Sequence, residues 1–456
     1  MKDFVARAYQ GAGIEHLVDH DRCALHAGCG MGKTVQALMA MEILRPAGEV
    51  STPLAIGPLR VARSTWGEEA AKWTDLAHLK VVPIIGTPDE RKAALRQKAD
   101  LFTVNYENLP WLVDRLKADW PFDMVIADEA VKLKGFRLNQ GGQRTRALAK
   151  VAHRKVRRFV ELTGMAAPNG LKDLWGQLWY LDGGKRLGRT YTAFTERWFQ
   201  TGRDGYSLQP LPFAFEEISE LISDLCLSME AKDYFDLPGT VVNNIYVDLP
   251  TKAMSQYREM EKAMFLEIAG KGIEAFNAAS KTIKCLQLAN GAIYLDDKQN
   301  WAEVHKSKLD ALESVIEEAG GKPVIVAYQF QSDLERLRKH FPQGRLLDTK
   351  RDEDDFKAGK IPVLFTHPDS AGHGIDGFQN VTNEIAFFGL NWNLDTRHQV
   401  IERIGETRQA QAGHHRPVVV HNIIARGTLD EMVLERVDTK REVADLLADR
   451  LKRKRP

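Results

Sequence analysis

Short runs of apolar residues alternate with stretches of helical periodicity along the first 170 residues of the chain. The predicted strands are residues 23–27, 54–57, 80–85, 101–105, 124–127 and 159–163. Short apolar strands separated by helices are typical of a parallel sheet that is covered by helices. Residues 1–170 are therefore predicted to form one α/β lobe.

The pattern changes after residue 170. The stretch up to about residue 235 is helical and rich in large apolar side chains, which include Trp175, Trp179, Trp198 and Phe199. We expect these aromatic side chains to fill a core, although exposed aromatic rings can also stack on bases. Residues 241–249 alternate like a strand, and a long amphipathic helix is predicted from residue 252. Residues 171–305 are thus predicted to be a helical insert and linker.

A second alternating block begins near residue 306, with predicted strands at 324–328, 363–366, 385–388 and 418–424. It repeats the pattern of the first block, so residues 306–456 are predicted to form a second α/β lobe. The predicted fold class is α/β, with two parallel-sheet lobes and a helical insert between them. The basic cluster at residues 450–456 is expected to be a solvated helix end.

Composition limits the classes of function. The 456 residues carry 63 Lys and Arg against 62 Asp and Glu, so a nucleic-acid surface has to be a local patch. The four cysteines show no paired spacing, which argues against a disulfide framework or a zinc site and fits a reducing cytoplasm. Because no apolar run reaches membrane-spanning length and the first residues lack a signal-peptide core, we expect a cytoplasmic protein.

A glycine-rich turn, Ala27-Gly28-Cys29-Gly30-Met31-Gly32-Lys33-Thr34, follows the first predicted strand and precedes a predicted helix. A strand, a glycine turn and a helix in this order form the context of a phosphate loop. Backbone amides of such a turn bind phosphate oxygens, and the helix N-terminus adds partial positive charge. Lys33 is expected to reach the β- and γ-phosphates, and the hydroxyl of Thr34 to hold Mg²⁺. The predicted cofactors are ATP and Mg²⁺.

Asp128 and Glu129 follow the apolar strand predicted at 124–127. Asp128 is expected to hold Mg²⁺, and Glu129 to orient and deprotonate the attacking water. Acids at a strand end are often only solvated. The phosphate loop upstream favours the catalytic interpretation.

These motifs resemble those of the superfamily-two helicase-type ATPases of the Swi/Snf branch, and most of all its compact phage-encoded members. Further matches are the Q motif at residues 6–10, motif Ia at 57–66, motif III at 162–170, motif IV from 324, motif V at 366–376 and motif VI at 399–409. The resemblance covers nearly the whole chain and implies two RecA-like lobes that bind ATP in the cleft between them. Five residues depart from the family pattern: Val131, Met165, Ala166, Asp376 and Glu406.

The resemblance also implies roles for individual residues. Gln10 is expected to recognise adenine, within a nucleotide-binding set of Arg7, Gln10, Gly28, Gly30, Met31, Gly32, Lys33, Thr34 and Gly374. The implied nucleic-acid contacts are Arg60, Arg63, Asn105, Tyr106, Lys308, Ser370, Gly372 and Trp392.

Motif VI normally supplies two arginines that approach the γ-phosphate. Arg403 lies on the first position, whereas Glu406 occupies the second, where an acid would repel phosphate. Arg408 is the candidate replacement, because a turn around Gly405 could bring it into place. The predicted catalytic residues are therefore Lys33, Asp128, Glu129, Arg403 and Arg408.

Together these features predict a DNA-stimulated ATPase that translocates on duplex DNA or remodels or unwinds branched DNA. DNA binding is expected to be independent of sequence, and the protein to be a monomer directed by substrate shape or by a protein partner. Two alternatives stay open. One is an ATP-gated DNA clamp with little turnover, which the departures from the coupling motifs suggest, and the other is an RNA helicase.

Overall fold

The computed structural model describes residues 2–28, 30–202, 208–235, 237–270, 275–295, 300–371, 376–390 and 393–451, with only the backbone at 263–270, 275–281, 370–371, 442–446 and 448–450. The chain divides into two compact units. The first comprises Met1–Phe235 and Lys440–Pro456, and the second comprises Asp236–Thr439.

A seven-stranded parallel sheet forms the centre of the first unit. Its first six strands along the chain are β1 (Arg22–Ala27), β2 (Pro53–Gly57), β3 (Val81–Pro83), β4 (Leu101–Asn105), β5 (Met124–Asp128) and β6 (Arg158–Thr163). A short antiparallel pair, β7 (Phe199–Thr201) and β8 (Leu208–Pro210), follows in the chain and lies outside the sheet. The seventh strand of the sheet is β9 (Cys226–Met229). The strand order is β3-β4-β2-β5-β6-β1-β9. The strands predicted in this lobe are all present, each within a few residues of its predicted bounds.

Helices cover this sheet and bury an apolar layer on each of its faces. They are α1 (Ala8–Asp19), α2 (Lys33–Leu44), α3 (Trp66–Lys72), α4 (Pro88–Leu95), α5 (Leu109–Leu116), α6 (Gln143–Ala152), α7 (Leu174–Asp182), α8 (Tyr191–Trp198) and α9 (Ala214–Ile222). Because side chains alternate along a strand, β5 gives Val125 and Ala127 to one layer and Met124 and Ile126 to the other.

Residues 171–235 belong to the first unit, which differs from the insert expected from the sequence. Trp175 and Trp198 are almost fully buried in the same core layer as Val125, so these aromatic rings form a core as expected. Helix α7 also approaches the turn after β5 closely. A Cβ at Gly176 would lie 2.5 Å from the carbonyl oxygen of Lys134. This helical stretch therefore completes the first lobe.

The second unit has a six-stranded parallel sheet of order β10-β17-β16-β13-β15-β14. Its strands are β10 (Thr240–Val247), β13 (Val324–Ala327), β14 (Gly344–Leu346), β15 (Val363–Thr366), β16 (Glu384–Phe387) and β17 (Val418–Ala425), with a separate antiparallel pair of β11 (Ala292–Tyr294) and β12 (Trp301–Glu303). The helices are α10 (Thr251–Gly270), α11 (Ala275–Asn290), α12 (Ser307–Glu318), α13 (Gln331–His340), α14 (Lys350–Lys357), α15 (Pro368–Ala371), α16 (Leu394–Ile401), α17 (Glu406–Gln411) and α18 (Leu429–Arg450). From Lys440 onwards, α18 belongs to the first unit. Within the described residues, no helix combines the length and the apolar character needed to cross a membrane. Two parallel α/β lobes confirm the predicted fold class.

A buried ion pair connects four helices of the second unit. The Lys308 ammonium lies 2.6 Å from a carboxylate oxygen of Asp430, and neither side chain is more than 1% exposed. The ammonium also donates to the Asn290 side-chain oxygen at 2.8 Å, and the Asn290 amide donates to Asp333 at 2.9 Å. Lys308 thus stabilises the lobe. The prediction that it contacts a nucleic-acid phosphate is wrong, because its charge is enclosed by protein.

We expect Lys308→Met to destabilise the second unit by about 3–5 kcal/mol, because Asp430 would then be a buried charge without its cation. Hydrogen exchange of the β13 amides measures this loss locally. The exposed Lys322 provides the control, Lys322→Met, which should leave exchange unchanged. The double variant Lys308→Met/Asp430→Leu should recover most of the protection. Equal loss in the single and double variants would contradict the charge argument.

Candidate nucleotide site

The turn between β1 and α2 adopts a conformation that favours glycine. Gly30 and Gly32 have φ angles of +78° and +76°, in the left-handed region that residues with a Cβ rarely adopt. A Cβ at Gly32 would also lie only 2.8 Å from the side-chain nitrogen of Gln10. The first backbone amides of α2 therefore face the turn without a bulky side chain before them, which is the geometry of an anion site.

The rest of the loop is held by backbone and side-chain hydrogen bonds. The Gly28 amide donates to the carbonyl of Met229 on β9 at 3.3 Å. The Met31 amide donates back to Gly28, and the side chain of Gln36 donates to the Met31 carbonyl at 3.0 Å. The ammonium of Lys33 donates to the carbonyl oxygens of Ala27 and Gly28, at 2.6 and 3.3 Å. The loop thus holds its cation on the phosphate-binding side.

Asp128 and Glu129 lie at the carboxyl end of β5, on the same edge of the sheet as the loop after β1. The Glu129 amide donates to the Asp128 side chain at 3.1 Å, and Glu129 itself has a left-handed backbone, with φ +57° and ψ +51°. Burial, followed by the charge of Glu129, raises the pKa of Asp128 to about 7, and the charge of Lys33 acts in the opposite direction. The three charged groups therefore interact with one another.

The donors at this edge fit Mg²⁺. A carboxylate from Asp128 and a hydroxyl from Thr34, on the first turn of α2, are hard oxygen ligands of the kind that Mg²⁺ prefers. A buried carboxylate with a raised pKa also gains from a cation, because the cation compensates the charge that burial disfavours. Lys33, Thr34, Asp128 and Glu129 thus form a compact set within the first unit.

The Q motif lies against the phosphate loop, as the contact of Gln10 with Gly32 indicates. The Gln10 side-chain oxygen accepts a hydrogen bond from the Arg7 amide at 3.0 Å. The Arg7 guanidinium lies 5.0 Å from the centre of the Phe235 ring, and the rings of Tyr9 and Tyr234 are 4.9 Å apart. Sequence reasoning missed Tyr234 and Phe235, because only the addition of β9 beside β1 brings this distant segment to the Q motif.

Both motif VI arginines lie in the second unit. A turn at Gly405 separates α16 from α17, as expected, and Arg403 is 7% exposed within it. Arg408 donates to Asp376 at 2.5 Å, and Glu406 accepts a hydrogen bond from the hydroxyl of Thr240. The acid that replaces the second arginine is therefore engaged with β10, and the replacement candidate forms an ion pair.

The predicted nucleic-acid contacts have different outcomes. Arg60 is half-buried and directly precedes a short π-helix, Val61–Thr65. Arg63 is exposed and lies within that helix. Asn105 and Tyr106 are only 5% and 2% exposed, so the prediction that their side chains contact nucleic acid is wrong. Gly372, Gly374 and Trp392 lie outside the described residues, and Ser370 is described only as backbone of α15.

Comparison with known proteins gives several matches. A family model described as SNF2-related domain matches residues 9–293. A protein of Acyrthosiphon pisum secondary endosymbiont phage 1, "Putative protein p41", is 52% identical over 100% of both chains. Transcription regulatory protein SNF2 of Saccharomyces cerevisiae is 22% identical over 95% of this chain, and human ZRANB3, a DNA annealing helicase and endonuclease, is 23% identical over 94%.

This chain spans only 27% of the yeast protein and 39% of the human one. Among solved structures, the Sulfolobus solfataricus SWI2/SNF2 ATPase core in complex with dsDNA is 23% identical, with a TM-score of 0.45. That match covers 98% of this chain and 94% of the other.

The pKa of Asp128 predicts a pH dependence of metal binding. A carboxyl with a pKa near 7 must lose its proton to bind Mg²⁺, so affinity should rise with pH, about tenfold between pH 6 and pH 8. Isothermal titration of Mg²⁺ with a non-hydrolysable ATP analogue, in buffers of different ionisation enthalpy, measures both affinity and proton release. In Asp128→Asn, the Mg²⁺ affinity should keep only the pH dependence that comes from titration of the nucleotide itself. The same pH slope in wild type and variant would contradict the raised pKa.

Proposed function

Since the chain belongs to the SNF2-related family, we propose that it is a DNA-stimulated ATPase that translocates on duplex DNA or remodels or unwinds branched DNA. The observation that supports this most directly is the proximity of Lys33 and Asp128 at one edge of the sheet, which is close enough for the charge of the lysine to oppose the rise in the pKa of Asp128. A cation, two acids and an amide-lined turn are the parts that phosphoanhydride hydrolysis requires.

Each residue of the first unit has a distinct task in this mechanism. Lys33 binds the β- and γ-phosphates, and the loop amides hold the same groups. Thr34 and Asp128 are the residues that would hold Mg²⁺, which neutralises phosphate charge when bound. Glu129 orients the attacking water and accepts its proton. Arg7 and Gln10 bind the base.

The second lobe supplies the remaining charge. Arg403 acts as the arginine finger once ATP draws the two lobes together, a contribution worth about 10³–10⁵ in rate in related enzymes. Arg408 is the second arginine, and it has to leave Asp376 to act. The hydrolysis cycle would thus alternate the lobes between closed and open states, which moves DNA stepwise.

The choice of DNA follows from the relatives and the surface together. The human relative is named a DNA annealing helicase and endonuclease, which supports DNA as the substrate. The exposed Arg63 suits a phosphate of the backbone, and contacts of this kind are insensitive to sequence. A clamp with little turnover is the second candidate, because Arg408 is engaged by Asp376.

ATP hydrolysis tests this proposal. We expect duplex or four-way DNA to raise kcat above the rate without nucleic acid, and RNA to have no such effect. Lys33→Ala should reduce turnover to background, and Arg403→Ala should lower kcat about 10³-fold, because each removes a charge on the phosphates. Arg408→Ala should lower kcat as well. Arg351→Ala is the matched control, since Arg351 is an exposed arginine of the same unit.

The alternatives predict other results. Negligible turnover on every nucleic acid despite ATP binding would favour the clamp. Stimulation by RNA and not by DNA would favour an RNA helicase. Residual turnover of Lys33→Ala within tenfold of wild type would rule out the phosphate-loop assignment.

The salt dependence of binding tests the DNA contact at Arg63. The logarithm of the binding constant should fall steeply with the logarithm of salt concentration, and Arg63→Ala should reduce that slope by about 1, because one phosphate contact is lost. Fluorescence anisotropy with two unrelated duplexes measures the slope. Arg189, which is exposed in the same unit, gives the control Arg189→Ala. An unchanged slope in Arg63→Ala would remove Arg63 from the DNA surface.

A further inference from the structure

Tyr106 is a buried residue that connects the end of β4 to the acidic pair. Its hydroxyl donates to the carbonyl oxygen of Asp128 at 2.9 Å and lies 3.4 Å from that of Glu129. The ring packs in the core layer that contains Val125 and Ala127. Burial, followed by the charge of Asp128, raises the pKa of Tyr106 well above its ordinary value, so the hydroxyl keeps its proton and remains a donor.

The backbone that Tyr106 contacts needs such support. A left-handed conformation at a residue with a side chain costs about 1–3 kcal/mol, and it persists only where the surroundings hold it. Glu129 has this conformation, and it is one of two non-glycine residues with positive φ within the described residues. The hydroxyl of Tyr106 fixes the peptide groups on both sides of this turn. The placement of the Glu129 carboxylate therefore depends on Tyr106.

The residues beside Tyr106 reach the protein surface. Glu107 accepts hydrogen bonds from Asn105 and from Arg144, each at 2.8 Å, and the Glu107 and Arg144 side chains are 51% and 55% exposed. Together with Lys132, whose amide donates to the Glu129 carbonyl at 3.0 Å, they line an open groove of about 640 Å³. Tyr106 forms part of the same groove.

This groove has the charge that a nucleic-acid backbone requires. The charged residues of the lining are Lys132, Arg144 and the acid Glu107, which pairs with Arg144, so the lining is net positive. A phosphate bound here competes with Glu107 for Arg144. Glu107 directly follows Tyr106 in the chain. On the other side of the groove, Lys132 follows the acidic pair within one turn. A strand bound here contacts both segments that the Tyr106 hydroxyl joins.

We propose that Tyr106 is a positioning residue that transmits nucleic-acid binding in this groove to Glu129, and so sets the carboxylate to orient and deprotonate the attacking water when the groove is filled. The inference rests on the proposed DNA-stimulated hydrolysis. It assigns to Tyr106 a role within the ATP site, in place of the direct nucleic-acid contact expected from the sequence.

Tyr106→Phe tests the inference, because it keeps the ring and removes only the hydroxyl. We expect the DNA-stimulated kcat to fall about tenfold, the amount that one lost hydrogen bond can account for. The KM for ATP and the affinity for duplex DNA should change by less than about twofold, because the hydroxyl contacts neither ligand. The quantity to measure is the ratio of the rates with and without DNA.

Tyr180→Phe is the matched control. Tyr180 is buried in the same core layer, and its hydroxyl donates to the carbonyl of Thr145 at 2.7 Å and not to Asp128 or Glu129. It should lose a similar amount of thermal stability and keep the stimulation ratio. If Tyr106→Phe is stimulated as strongly as wild type, the inference is wrong and the proposed function stands. If both variants lose stimulation equally, the effect is one of general stability. Absence of stimulation in the wild type would overturn both proposals.

Discussion

The candidate site depends on the interaction of one cation with two acids at the edge of an apolar sheet. Asp128 is buried beside Glu129, and both effects disfavour its charge, whereas Lys33 favours it. Since burial and the charge of Glu129 outweigh the charge of Lys33, the pKa of Asp128 is raised to about 7, close to physiological pH. A cation at the site would tip the balance towards the carboxylate. Metal binding, proton release and the placement of Glu129 are therefore coupled by the same few charges.

The strand between the two motifs carries a further acid that is kept out of this balance. Glu161 of β6 lies beside Ala24 of β1 and Ala127 of β5, and it is 1% exposed. Burial raises its pKa well above the ordinary value for Glu and so favours its neutral form. A third negative charge in this part of the sheet would raise the pKa of Asp128 further. The core thus confines the charge to the strand ends, where the chemistry is proposed to take place.

The alternation of apolar runs and helices predicted both sheets, because a buried parallel strand needs apolar side chains on both faces. It missed β9, which has only four residues and follows a helical stretch, and with it the contact of Tyr234 with the Q motif. Lys308 and Tyr106 were assigned to a nucleic-acid surface for a related reason. A motif shows which segment approaches a ligand, but burial of each side chain depends on packing by residues far away in the chain.

Both departures from the family pattern in the second lobe have a polar partner within that lobe. Asp376 pairs with Arg408, and Glu406, which lies at the position of the second motif VI arginine, accepts a hydrogen bond from Thr240. The Arg408 pair is partly exposed, with side chains at 15% and 66%, unlike the enclosed pair of Lys308 and Asp430. An ion pair open to solvent contributes about 0–1 kcal/mol, so Arg408 can exchange Asp376 for phosphate at small cost. Lys308 cannot make the same exchange, because Asp430 would then be a buried carboxylate without its cation. Exposure therefore distinguishes the arginine that can take part in a catalytic cycle from the lysine that cannot.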